Sequence, residues 1–157
     1  EASEAGVQIR LIVRGMCSLL PGVAGMSDNI EAISIIDRYL EHPRVYVFHN
    51  RGAPEYLLGS ADLMTRNIDY RVEVLCPIQD PIVQQQLQDI LDQQWHDNVK
   101  ARVLNESQDN EMVGRAKTAP ALRSQETIHR YLQTGKKPRM PRTLMRQASR
   151  RRRLPSG

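Results

Sequence analysis

Residues 7–14 place the tightest constraint on the fold. Ile9, Leu11 and Val13 alternate with Gln8, Arg10 and Ile12, so the centre of this run is apolar on both sides of an extended chain. A strand of that kind needs cover on both faces, which an α/β layering supplies and a one-sided antiparallel sheet does not. Arg14-Gly15 closes the run, and residues 15–29, with Pro21-Gly22 and Gly25, read as a long turn-rich loop. Asp28 and Glu31 have the spacing of a capping box. Ile33, Ile36 and Leu40, with Ile30 and Tyr39 beside them, then predict a helix ending near Glu41.

Further along, residues 44–48 predict a strand, Asn50-Arg51-Gly52-Ala53-Pro54 a turn, and residues 55–58 the returning arm of a hairpin. Tyr70, Val72, Val74 and Cys76 alternate with Arg71, Glu73 and Leu75 as a half-buried strand that Pro77 stops. Asp80-Pro81 joins an N-cap residue to a first-turn proline. The helix it opens has Val83, Leu87, Ile90, Leu91 and Trp95 on one face. Residues 99–104 predict a short strand and residues 125–132 a last helix closed by Gly135. Strands, crossover helix, hairpin and covering helices add up to an α/β sandwich with a mixed sheet flanked by helices.

Charge divides the chain into two parts. Of its 157 residues, 22 are Lys or Arg and 18 are Asp or Glu, a net charge of +4. Nine of the basic residues lie from Lys136 onward with no acid among them, which leaves 13 basic against 18 acidic residues before that point. The globular part, residues 1–135, is therefore acidic, and residues 136–157 read as a basic disordered tail. Arg150, Arg151, Arg152 and Arg153 could bind a polyanion by counterion release, or simply keep the tail solvated. No aromatic residue is interleaved with them, which argues against specific nucleic-acid recognition.

Cys17 and Cys76 stand far apart, with no His or Cys at metal-ligand spacing, as in a reduced, cytoplasmic-type chain. No apolar run approaches the roughly 20 residues of a transmembrane helix. The opening residues read as the last turn of a helix closed by Gly6, so the chain is expected to be cut from a longer protein at a domain boundary.

The residues with chemistry to offer are Arg14 and His42. Arg14 follows a buried-type strand, at the position where open α/β sheets gather ligands, and a guanidinium makes bidentate, always-charged contacts to phosphate oxygens. An ion pair at a strand end is its structural alternative. His42 lies between the predicted helix and strand, before Pro43, and can attack phosphorus when neutral or donate a hydrogen bond when protonated. Compensation of a helix dipole is the plainer role for it. Gly59-Ser60-Ala61-Asp62 offers a turn whose N–H groups and hydroxyl suit an oxyanion, and it is equally an ordinary loop. His49, His96 and His129 have no partners that make a site, and no P-loop or dinucleotide fingerprint is present.

Several longer motifs connect these residues. Ile12-Val13-Arg14-Gly15-Met16-Cys17, Leu20-Pro21-Gly22-Val23-Ala24-Gly25-Met26-Ser27-Asp28-Asn29-Ile30 and Ser34-Ile35-Ile36-Asp37-Arg38-Tyr39-Leu40-Glu41-His42 resemble the last catalytic domain of bacterial polyphosphate kinases. So does the run from Gly59-Ser60-Ala61-Asp62 through Thr65-Arg66-Asn67 to Tyr70-Arg71-Val72-Glu73-Val74. The resemblance implies a phospholipase D-like α/β fold and reversible transfer of the terminal phosphate of ATP to polyphosphate. It also implies a nucleotide site shared with a preceding catalytic domain, in a full enzyme expected to be a homo-oligomer. By that pattern Arg14 and His42 contact the nucleotide phosphates. The phosphorylated His, the residues around Mg²⁺ and a stacking Tyr fall to the preceding domain, so His42 is a supporting residue and this chain alone is expected to be inactive.

His42-Pro43-Arg44 with Gly59-Ser60 resembles a degenerate form of the superfamily's His-x-Lys and Gly-Ser signature. His49 stands where its Asp would be. A cytoplasmic location is implied, with membrane association as a variant. Two rival functions are a non-catalytic polyanion-binding module acting through the tail and a free-standing phosphodiesterase of the phospholipase D superfamily.

Overall fold

The computed structural model describes residues 1–141. In chain order the elements are β1 (Ile9–Ile12), β2 (Ile30–Ile35), β3 (Val45–Phe48), β4 (Glu55–Gly59), α1 (Thr65–Ile68), β5 (Leu75–Ile78), α2 (Pro81–Trp95), β6 (Ala101–Leu104) and α3 (Ser124–Thr134). They fall into two compact units. One comprises Glu1–Leu40 and the chain from Ile90 onward, and the other is Glu41–Asp89. Each unit holds a three-stranded sheet, ordered β1-β2-β6 in the first and β3-β4-β5 in the second. The single mixed sheet expected from the sequence is thus two small sheets, and only the first is mixed.

In the first unit β2 is the central strand, parallel to β1 and antiparallel to β6. The helix expected over this stretch does not form. Ala32 and Ile33 are fully buried, whereas Ile36 and Leu40, which would have completed a helical stripe, are 68% and 75% exposed. Three isoleucines in six residues fit a pleated surface covered on both faces, and burial at the sheet centre outweighs the helical spacing. Asp28 caps nothing, because its carboxylate instead accepts from the Gly25 N–H at 2.7 Å and closes the preceding loop. The β1–β2 connection is that loop and not a crossover helix.

The core of this unit is Ile33, Ile35, Trp95, Ala101 and Val113, with Ile12 and Val103 packed against it. The Arg10 guanidinium lies 5.2 Å from the Trp95 ring centroid. Asp97, fully buried just after α2, joins three elements. Its Oδ1 accepts from the N–H groups of Val99, Lys100 and Ala101 at 2.9, 2.7 and 3.3 Å, and its Oδ2 accepts from the Ser124 N–H at 2.7 Å. One carboxylate therefore shapes the turn into β6 and satisfies an orphan donor at the start of α3.

Two expected helix ends have the expected geometry. Gly6 (φ 87°) closes a turn in which the Val7 N–H reaches the Ala2 C=O at 3.0 Å and the Gly6 N–H reaches the Ser3 C=O at 3.0 Å, the paired bonds of a Schellman motif. α3 ends at a left-handed Gly135.

The second unit is an antiparallel meander. The hairpin pairs Val45 with Leu58 and Phe48 with Glu55 around a left-handed turn at Asn50 and Arg51, as expected for this stretch. β5 departs from expectation. The 70–74 stretch is not a strand, Val72 is fully exposed, and the strand begins at Leu75 and includes Pro77 opposite Leu57. Proline is tolerated there because β5 is an edge strand. α2 opens as expected, with Asp80 Oδ1 accepting from the N–H groups of Ile82 and Val83 at 2.7 and 3.3 Å. Tyr56, 8% exposed, donates its hydroxyl to Gln88 on that helix at 3.0 Å. Most of the basic tail, residues 142–157, lies outside the described residues.

Candidate functional site

Arg14 belongs to the first unit and His42 to the second. Arg14 follows β1 by two residues and is exposed. Pairing with β2 continues just past the strand, since the Val13 N–H donates to the Ile33 C=O at 2.8 Å. β1 and β2 run parallel, so their carboxyl ends lie at one edge of the sheet. Arg14 leaves from that edge, and so does the loop that follows β2. Ligands of open α/β sheets collect outside such strand ends.

The loop after β2 is held by side chains that sequence reasoning did not single out. Arg123 donates from Nε to Asp37 Oδ2 at 2.8 Å and from Nη2 to Oδ1 at 2.6 Å, and its Nη1 reaches Glu126 at 2.6 Å. The Asp37 side chain is 1% exposed. Its carboxyl is held below the usual range by the Arg123 hydrogen bonds, which outweigh the opposing effect of burial. The same pairing raises the Arg123 guanidinium further above its already high value. Gln125 completes the clamp, accepting from the Tyr39 N–H at 2.9 Å and donating to the Tyr39 C=O at 2.7 Å. These partners are 86 residues apart and follow no local pattern, so the sequence carried no signal for them.

His42 is exposed at the start of the second unit. Its backbone carbonyl accepts from Arg44 Nη1 at 3.1 Å. The same guanidinium forks onto Asp62, Nε to Oδ1 at 2.9 Å and Nη2 to Oδ2 at 3.3 Å. That pairing raises the Arg44 guanidinium above its ordinary value. The Gly59-Ser60-Ala61-Asp62 turn thus carries the partner that holds Arg44.

Its serine is bound within the protein. The Ser60 hydroxyl donates to Glu73 and accepts from the Val74 N–H at 3.1 Å, and the Ser60 N–H donates to the Val74 C=O at 3.0 Å. Asn67 donates to Glu73 at 2.7 Å. Bonds from Ser60 first, then Asn67, hold the Glu73 carboxyl below the usual range. A hydroxyl and an N–H committed in this way form a structural joint, not an anion cradle, which is the plainer of the two readings of this turn.

Of the other histidines, His49 and His129 are exposed, and His96 Nδ1 lies 2.8 Å from the Asp92 carbonyl. Cys17 and Cys76 are both free thiols. Among the described residues no three His, Cys, Asp or Glu side chains gather as a metal site, and no helix is long and apolar enough to cross a membrane.

Comparison with known proteins covers most of the chain. Residues 1–125 match the family described as "Polyphosphate kinase C-terminal domain 2". The polyphosphate kinase of Vibrio cholerae is 54% identical over 136 residues, which is 87% of this chain and 19% of that protein. That of Escherichia coli K12 is 50% identical over 137 residues, 87% of this chain and 20% of that protein. The crystal structure of polyphosphate kinase from Porphyromonas gingivalis superposes with a TM-score of 0.81 at 42% identity, covering 85% of this chain and 20% of the other. The chain spans about a fifth of the length of the curated relatives it matches.

Proposed function

The chain belongs to the polyphosphate kinase C-terminal domain 2 family, and from that premise we propose that it is one part of an enzyme that reversibly transfers the terminal phosphate of ATP to polyphosphate. In this reading Arg14 and His42 contact the nucleotide phosphates. The remaining catalytic groups, the phosphorylated histidine among them, belong to the rest of the polypeptide. The observation that carries the reading is the family match, which includes both residues. Their placement supports it: both are exposed, and Arg14 stands beyond the carboxyl end of β1.

Phosphoryl transfer depends chiefly on positioning and on neutralising charge on the equatorial oxygens. Arg14 suits the second task through charge-assisted hydrogen bonds, and His42 supports it as a hydrogen-bond donor. By the same family reading we assign any Mg²⁺ that accompanies the nucleotide to the rest of the polypeptide. We assign the two sheets and their helices to a phospholipase D-like fold, with His42-Pro43-Arg44 as a degenerate signature element. We assign residues 1–135 to the catalytic part, with α3 ending at Thr134, and read residues 136–157 as a basic tail from their composition. We further assign the full enzyme to the cytoplasm as a homo-oligomer.

The test is made in the full-length enzyme. Arg14→Ala and His42→Ala are each expected to lower ATP-dependent polyphosphate synthesis by about ten- to a hundredfold, the worth of one charge-assisted hydrogen bond that tightens in the transition state. Thermal unfolding midpoints should not move. Near-normal turnover in both variants overturns the assignment.

A further inference from the structure

We propose that Arg44 is a positioning residue that acts through His42 and does not contact the phosphates itself. The inference rests on the reading of His42 as a phosphate contact.

A cation two residues from His42 invites assignment as a second phosphate ligand, but its hydrogen bonds point to a different role. Nε and Nη2, along one edge of the guanidinium, each donate to an oxygen of Asp62, and one N–H of Nη1 donates to the His42 carbonyl, so three of its five N–H groups are committed within the protein. A planar group fixed at two points on one edge has its third donor direction set by geometry. The Asp62 carboxylate also offsets the charge that Arg44 would present to a phosphate.

The anchor is firm at its far end. The Gly59 N–H donates to the Arg44 C=O at 3.0 Å, and the Tyr46 hydroxyl donates to the Ala61 C=O at 2.7 Å, one residue before Asp62. Ser60 is tied to Glu73 and Val74. At the near end, Pro43 disfavours helical backbone at His42 and fixes its own φ, so few torsions separate the imidazole from the guanidinium that holds its carbonyl. This chain of contacts sets where the His42 ring starts, and a displacement of about 1 Å at a reacting group can cost about a hundredfold in rate.

A double-mutant cycle in the full-length enzyme tests the idea, with kcat/KM for ATP measured in wild type, Arg44→Lys, His42→Ala and the double variant. Lysine keeps the charge, but it cannot hold both Asp62 oxygens and the His42 carbonyl from one plane. Arg44→Lys alone is expected to lower kcat/KM about tenfold, and by less than about twofold once His42 is already alanine. An equal loss in both backgrounds would mean a general structural role or a separate substrate contact, and the proposal would be wrong. Full activity of Arg44→Lys beside an impaired His42→Ala overturns the positioning role and leaves the His42 assignment standing. A fully active His42→Ala removes both. Should Arg44→Lys fail to fold, Asp62→Asn carries the same cycle with the same expected loss of additivity, because it weakens the fork while keeping the shape of the side chain.

Discussion

Gly59 has no room for a side chain. A Cβ built there would lie 2.5 Å from the Val74 carbonyl oxygen and 2.5 Å from Leu75 Cδ2. The backbone of β4 thus runs directly against the entry to β5, and that approach lets the Ser60 N–H reach the Val74 C=O. Gly59→Ala is expected to cost about 2 kcal/mol through overpacking against backbone that cannot yield, read as a lower urea midpoint at unchanged slope. A midpoint equal to wild type would mean the strands part more easily than this contact implies. The sequence marks this glycine only as one member of a Gly-Ser turn, a pattern that fits an oxyanion site as well as a tight joint. What separates the two is Glu73, thirteen residues beyond Ser60, whose carboxylate claims the serine hydroxyl. Arg14 and His42 are legible in the sequence because each adjoins a recognisable break in pattern, a strand end before Arg14 and a proline after His42.

Elements whose signals are local were legible in advance. Asp80-Pro81 predicts the start of α2, and the structure supplies the cap bonds to Ile82 and Val83. Asp80→Ala is expected to destabilise the protein by about 1 kcal/mol, and Asp80→Asn by less, since Asn caps nearly as well; chemical denaturation of the three proteins orders them. The hairpin and α3 likewise follow from turn chemistry and from a closing glycine. β2 is not legible locally because six residues rich in isoleucine carry helical and extended spacings together, and only the partners on either side decide between them. The start of β5 is hidden for a related reason. Alternation from Tyr70 to Cys76 is real in the sequence, yet Ser60 and Asn67 fasten Glu73 in its middle and keep that stretch as a loop. The clamp of Arg123 and Gln125 on the loop after β2 was out of reach, since no nearby residue announces a partner 86 positions away.

At the scale of the whole molecule, two carboxylates tie stability to pH. Asp37 and Glu73 both have folded pKa values below those of the unfolded chain, the first through Arg123 and the second through Ser60 and Asn67. The unfolded chain therefore takes up protons first as pH falls. The stability these groups contribute is present in full above the ordinary carboxylate range and is lost as pH drops through their folded values. Thermal midpoints should hold from neutral pH to about 5 and fall below about 4. Asp37→Asn should lower the neutral-pH midpoint and flatten the acid limb; an acid limb as steep as wild type would exclude Asp37 as a main contributor. Asp97 has a consequence of another kind. Its two oxygens hold amides from the turn into β6, from β6 itself and from the start of α3. Three of those hydrogens are consecutive and the fourth lies well along the chain, but all share one acceptor group, so any opening that swings the carboxylate aside exposes them together. In deuterium exchange they would behave as one clock, whatever their separate neighbours do.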